Sequence, residues 1–273
     1  MHHPENPPSH RGLATGILMF AAFMDLLDVT IVNVALPAIR SDLHASPAHL
    51  EWILGGYALA FAVLLITGGR LGDIVGRQRT FVVGVAGFTA ASLAACLSGN
   101  GDALVMARIV QGGFAAMMVP QLLSTVQVLY PPKERAAVFG MIGGVSGTAA
   151  VIGPLLGGWL VTSDAFGIGW RSIFLINLPV GIALLVLARK YVPNTRSERA
   201  TRLDLPGVVL ATVGVFLLVL LVPFGYLLST GAVEWGPARH VAERLGARRV
   251  VRVSGTPGRD GLDPTRPRDV EAA

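Results

Sequence analysis

Apolar residues in this chain fall in long runs, not in the alternation of a half-buried strand or the single stripe of a surface helix. The first run covers residues 13–39, and six more follow at about 50–68, 80–98, 103–129, 136–161, 171–190 and 206–229. A helix of about 20 apolar residues crosses the hydrocarbon of a bilayer. The pattern predicts an all-α membrane protein with seven spans.

The polar segments between the runs orient them. One side carries Arg70, Arg77 and Arg79, then Lys133 and Arg135, then Arg189, Lys190, Arg196, Arg199 and Arg202. The opposing segments hold Arg40, no basic residue over 98–102, and Arg171. Basic loops stay in the cytoplasm, so the chain is expected to be a multi-pass protein of the inner (plasma) membrane with a cytoplasmic N-terminus. The expected layout is a cytoplasmic N-terminal segment at 1–12, a six-helix unit at 13–190, a cytoplasmic linker at 191–205 and a seventh helix at 206–229. A non-membrane tail at 230–273 completes it. That tail is rich in Arg, Pro, Gly and Asp, a composition that predicts disorder. Seven spans place it outside, against the bias of its eight arginines.

Composition agrees with the spans: 52% of residues are hydrophobic, 14% are charged, and there are 33 glycines. The net charge of +5 belongs to loops and tail and does not argue for a nucleic-acid partner. Cys96 is the only cysteine, which excludes a disulfide within the chain. The first run is too long for a signal-peptide core and is expected to stay as an anchor.

Candidate chemistry starts in the first run, where Asp25 and Asp28 lie three apart on one helical face. An ionisable group at that depth marks an ion or proton path by default. The plainer alternative is that the two acids only bond neighbouring helices. Arg108, in the fourth run, must find a carboxylate or carbonyl inside the bundle, or snorkel to the nearby surface. Asp25 and Asp28 are the acids available at depth. In the loop after the second run, Gly69, Gly72 and Gly76 allow a tight turn. Asp73 among Arg70, Arg77 and Arg79 offers an ionic latch, against plain positive-inside anchoring. In the fifth run, Gly143/Gly147 and Gly153/Gly157 are spaced four apart as a smooth packing face, and Pro154 predicts a kink. The sixth opens with Trp170 and Arg171, which suit the membrane boundary. Asn177 within it suits glue between helices.

These stretches together resemble the major facilitator superfamily, and within it the fourteen-helix drug:proton antiporters. The resemblance rests on Leu27–Pro37, Gly69–Arg79, Arg108–Gly113, Gly147–Gly158, Trp170–Gly181 and Asp204–Gly207. Ile74 departs from it, standing where that family usually has a basic residue. The resemblance implies two six-helix halves with a substrate path between them, each half built from inverted three-helix repeats. It implies export of small hydrophobic or cationic compounds in exchange for protons. Asp28 carries over as the first-span acid and Arg108 as the proton-coupling arginine. Gly69, Gly72, Asp73, Gly76, Arg77 and Arg79 carry over as the gating loop. Gly147, Gly153, Pro154, Gly157 and Gly158 carry over as the antiporter motif. Asp25 lies outside the motif and is a candidate on burial alone. The expected partners are membrane lipid, substrate and protons, with no cofactor, metal or nucleic acid and no enzymatic activity.

The resemblance covers about residues 13–236, the first half of such a transporter plus one helix. A chain with 20 Arg against 2 Lys fits a GC-rich gene read out of frame after that point. The expectation is a truncated or frameshifted transporter, inactive alone. The alternative is a non-transporting membrane protein or a subunit whose second chain supplies the missing half. A retinal protein would need a lysine in a span, and Lys133 and Lys190 lie at loops or helix ends. Neither lysine sits in a glycine-rich phosphate loop, and no His/Glu zinc pattern occurs.

Overall fold

The computed structural model describes residues 10–164, 167–196, 207, 210, 212–218 and 221. Five long helices come first: α1 (Arg11–Leu43), α2 (Pro47–Val75), α3 (Arg77–Cys96), α4 (Gly101–Leu129) and α5 (Pro132–Ser163). The sixth span, Gly169–Tyr191, is a 3₁₀ turn followed by α6 (Ser172–Leu175) and α7 (Asn177–Tyr191). These six spans are long and apolar enough to cross a membrane. In the seventh expected span, the described residues 207, 210, 212–218 and 221 are helical. The rest of 206–229, linker residues 197–205 and the tail at 230–273 lie outside the described residues.

The helices overrun the apolar runs at most ends. Hydropathy stops where polar residues begin, whereas backbone hydrogen bonding continues until a cap or breaker intervenes. Thus α1 starts at Arg11, inside the segment expected to precede the bundle, and α7 ends at Tyr191. At the start of α2, Ser46 accepts from the His49 backbone N–H, and Pro47 occupies the first helical position, where its missing N–H costs nothing. Asn100 caps α4 by accepting from the Ala103 N–H at 2.8 Å. The sixth span breaks at Ile176 because Pro179 cannot donate back to Leu175. That break leaves Asn177 at the start of α7.

Within the bundle α2 packs on α4, α1 on α5, and α3 on both α4 and α7. Two apolar clusters form the core. One includes Ala14, Leu18, Met24, Phe81, Phe88 and Met118. The other includes Leu27, Ile31, Ala35, Ile53, Leu104 and Phe174. Along α1 the change from the first to the second falls between Met24 and Leu27, where the two acids lie.

The contact between α2 and α4 depends on glycine. A Cβ on Gly112 would run into the backbone carbonyl of Tyr57, and one on Gly68 into that of Ala116. Backbone cannot rotate aside as a side chain can. Gly112→Ala is therefore expected to push α2 from α4 and cost about 1–3 kcal/mol. Gly12→Ala, with nothing nearby, should be neutral. Unfolding of the purified chain in detergent, followed by helical circular dichroism, measures both.

The fifth span corrects one expectation. Gly153 packs against Thr30 and Gly157 against Ile31 of α1, but a Cβ added at Gly143, Gly144, Gly147 or Gly158 would meet no described residue outside its own stretch of helix within 4 Å. Of the two glycine pairs within α5, only Gly153/Gly157 packs on another described helix. α5 runs on through Pro154 as one helix.

Candidate functional site

The two core clusters meet at a buried polar layer. Asp28 (0% exposed) and Arg108 (1% exposed) form an ion pair, with Arg108 Nη1 donating to Asp28 Oδ2 at 2.5 Å. Arg108 does not snorkel. The same Nη1 donates to Gln111 Oε1 at 2.6 Å, and Nε donates to the Ile53 carbonyl at 3.3 Å. The other Asp28 oxygen, Oδ1, accepts from Gln111 Nε2 at 3.0 Å and Asn177 Nδ2 at 2.7 Å. Both amides also donate to Ser92 Oγ, at 2.8 and 3.1 Å. Side chains from α4 and α7 thus converge on the α1 carboxylate, and Ser92 of α3 holds the two amides in place.

Every partner of Asp28 in this set is a donor. A carboxylate with both oxygens accepting is the ionised form; a protonated one gives up an acceptor position. The arrangement therefore fits ionised Asp28. A proton arriving there would remove the charge that holds Arg108 and loosen the joint between α1 and α4.

Asp25, one turn earlier, is also buried but does not take the guanidinium; its carboxylate accepts from the Tyr57 hydroxyl. The ring of Tyr57 lies under Arg108, with Cζ 4.2 Å from the ring centroid. Tyr57 and Ser92 did not stand out in the sequence, although each is a polar side chain in an apolar run. Gln111 lies one turn after Arg108, on the same face of α4. Asn177, expected to be glue between helices, holds the central acid.

On the side where α2 ends, the expected gating loop is mostly helix. Gly69, Gly72 and Asp73 lie within α2, and only Gly76, at φ 117°, makes the turn into α3. Asp73 pairs with Arg77 at 2.9 Å across that turn, while Arg70 and Arg79 are exposed. Arg77 is also tied to the segment after α7: its N–H donates to the Thr195 carbonyl at 3.0 Å and Nη1 to the Thr195 hydroxyl at 3.1 Å. A Cβ on Gly76 would strike the Asn194 side chain. Gly76→Ala is expected to free this segment, and limited trypsin digestion should cut faster after Arg196. Gly69→Ala, which makes only ordinary contact with Pro120, should leave the rate unchanged.

At the opposite end Asp42 accepts from Trp170 Nε1 at 3.0 Å and Arg171 Nη1 at 2.7 Å. Trp170 is 2% exposed, so it is an internal tie and not the boundary anchor expected. Apolar space opens beside the polar layer. A groove of about 620 Å³ between α1 and α5 is lined by Met19, Phe20, Phe23, Met141, Val145 and Thr148, among others. A cavity of about 230 Å³ shares Phe20 and Phe23 with it and reaches Asn177.

Comparison with known proteins gives a consistent answer. The family profile described as Major Facilitator Superfamily matches residues 18–254, which carries the likeness past residue 236. The probable actinorhodin transporter of Streptomyces coelicolor is 49% identical over 213 residues, 78% of this chain and 37% of that protein. The tetracenomycin C resistance and export protein of Streptomyces glaucescens is 43% identical over 233 residues, 85% of this chain and 41% of that protein. The chain thus spans about two fifths of the length of these curated relatives. Among solved structures, a peptide transporter aligns at TM-score 0.56 with 19% identity, covering 85% of this chain and 49% of that one. A bacterial homolog of the human lysosomal transporter Spinster aligns at 0.57 with 19% identity, covering 73% and 47%.

Proposed function

Because this chain belongs to the major facilitator superfamily, we propose that it forms the proton-handling half of an efflux antiporter for small hydrophobic or cationic compounds. The observation that carries the reading is the Asp28–Arg108 pair, sealed at the junction of the two core clusters. An ion pair so placed is a poor source of stability, since desolvation offsets much of its attraction. Its value lies in being switchable. A proton on Asp28 releases Arg108, and its loss restores the clamp on α1. The aromatic groove between α1 and α5 supplies an apolar wall beside that switch. The Asp73–Arg77 latch and the docked Thr195 act as the cytoplasmic gate, with the N-terminus on that side of the plasma membrane. A second helical bundle, in the same polypeptide or another chain, completes the substrate path. The work is carriage, not catalysis.

The test is a chimaera joining residues 10–196 to the second half of the tetracenomycin C export protein of Streptomyces glaucescens, reconstituted in everted vesicles. Export of tetracenomycin C should follow an imposed pH gradient and collapse with a protonophore. Export that ignores the protonophore would overturn the reading.

A further inference from the structure

The polar layer holds two acids and one base. Asp25 and Asp28 both face Arg108, yet only Asp28 touches it. The titratable and charged groups facing this cluster are Asp25 and Asp28 from α1, Tyr57 from α2 and Arg108 from α4. Ser92 of α3 and Asn177 of α7 are polar without titrating, and α5 meets this part of α1 with Gly153 and Gly157. With both acids ionised, the layer would carry an uncompensated negative charge inside the bundle, where charge is costly. It is neutral when one acid holds a proton. Asp28 has a guanidinium and two amides donating to it, whereas among the described residues Asp25 accepts from one phenol.

Tyr57 is built to link them. Its hydroxyl holds Asp25, and its ring face holds the guanidinium that neutralises Asp28. The backbone at Tyr57 is pinned by Gly112 of α4, and its ring stacks parallel to Phe61.

We propose that Asp25 is a second proton-binding carboxyl, and that Tyr57 is the positioning residue coupling it to Asp28 through the shared cation Arg108. A proton taken up at Asp28 frees Arg108, and Asp25 then releases its own proton and becomes the counterion. One proton enters, one leaves, and the layer stays neutral. This deepens the transport reading and rests on it for its purpose, but it is a property of the bundle that can be measured without transport.

The experiment is infrared titration of the 273-residue chain in lipid nanodiscs, following the protonated-carboxyl stretch. Wild type is expected to show that signal near neutral pH. One shared cation makes the outcome non-additive. Asp25→Asn should lose the signal because Asp28 stays ionised beside Arg108. Asp28→Asn should lose it too, because Asp25 ionises to replace the missing counterion. Tyr57→Phe, with unchanged helical circular dichroism, should shift the band by removing the hydroxyl while keeping the ring. A signal that survives either Asn variant, or a band unmoved in Tyr57→Phe, overturns the proposal. If Asp25→Asn does not fold, Asp25→Glu takes its place, and the band must move with the longer arm. A protonophore-insensitive chimaera would sink the transport reading and leave this signal as it is. An additive result here would sink the coupling and leave export as it is.

Discussion

Asp28→Asn in the two-half chimaera is expected to bring pH-gradient-driven export down to background while the bundle remains assembled. Asparagine has the shape of aspartate, so the packing against Ser92, Gln111 and Asn177 is kept. It cannot take up and release a proton. Its oxygen can replace Oδ1 and accept from Gln111 and Asn177, but its amide then faces the Arg108 guanidinium, donor against donor. Losing a charge-assisted hydrogen bond costs about 1.5–3 kcal/mol, which should lower stability without unfolding the helices. Tetracenomycin C flux in everted vesicles, with circular dichroism of the same sample, measures both. Wild-type flux under the same gradient would refute a coupling role for this carboxyl.

The second large effect is on stability. Arg108→Ala leaves the Asp28 carboxylate buried without its cation, a change that costs about 3–5 kcal/mol when one partner of a buried pair is removed. It also empties the space beside the Tyr57 and Phe174 rings, which lie 4.2 and 5.9 Å from the guanidinium carbon. Denaturant unfolding should register the loss, and export by the chimaera should stop. The double variant Asp28→Asn/Arg108→Ala should be more stable than Arg108→Ala alone, because the stranded charge is gone. Residues that act as a pair give such non-additivity. Arg108→Lys should rescue part of the stability and little of the transport. A single ammonium cannot reach Asp28, Gln111 and the Ile53 carbonyl while stacking on Tyr57.

The pairing of Arg108 with a first-span acid was legible in the sequence, because an arginine in an apolar helix needs a carboxylate and few lie at depth. Which of the two acids it takes was not. Asp25 and Asp28 share a face of α1, and spacing alone treats them alike. The choice is made by Tyr57, which comes from another helix and occupies Asp25. The gating loop misled for a similar reason. Glycines at 69, 72 and 76 look alike in sequence as turn formers, yet only Gly76 has the positive φ that requires glycine. Gly72 lies inside α2, where a Cβ would overlap the Gln121 side chain of α4. The glycines of α5 also divide by what lies opposite: Gly153 and Gly157 meet α1, while a Cβ on Gly147 or Gly158 would meet no described residue outside its own stretch of helix within 4 Å.

Span number, span order and the placement of basic residues follow from the chain itself. Backbone polar groups in a bilayer must bond within their own helix, so a run of apolar residues has one stable form wherever its neighbours stand. Partnership inside the polar layer is different. Asp28 acquires its donors from α4 and α7 at sequence distances of 80 to 149 residues, and hydropathy says nothing about which faces meet. Close approach at Gly68 and Gly112 sets the seating of α2 on α4 and so brings the Tyr57 ring under Arg108. One acid is thereby left to the cation and the other to a phenol.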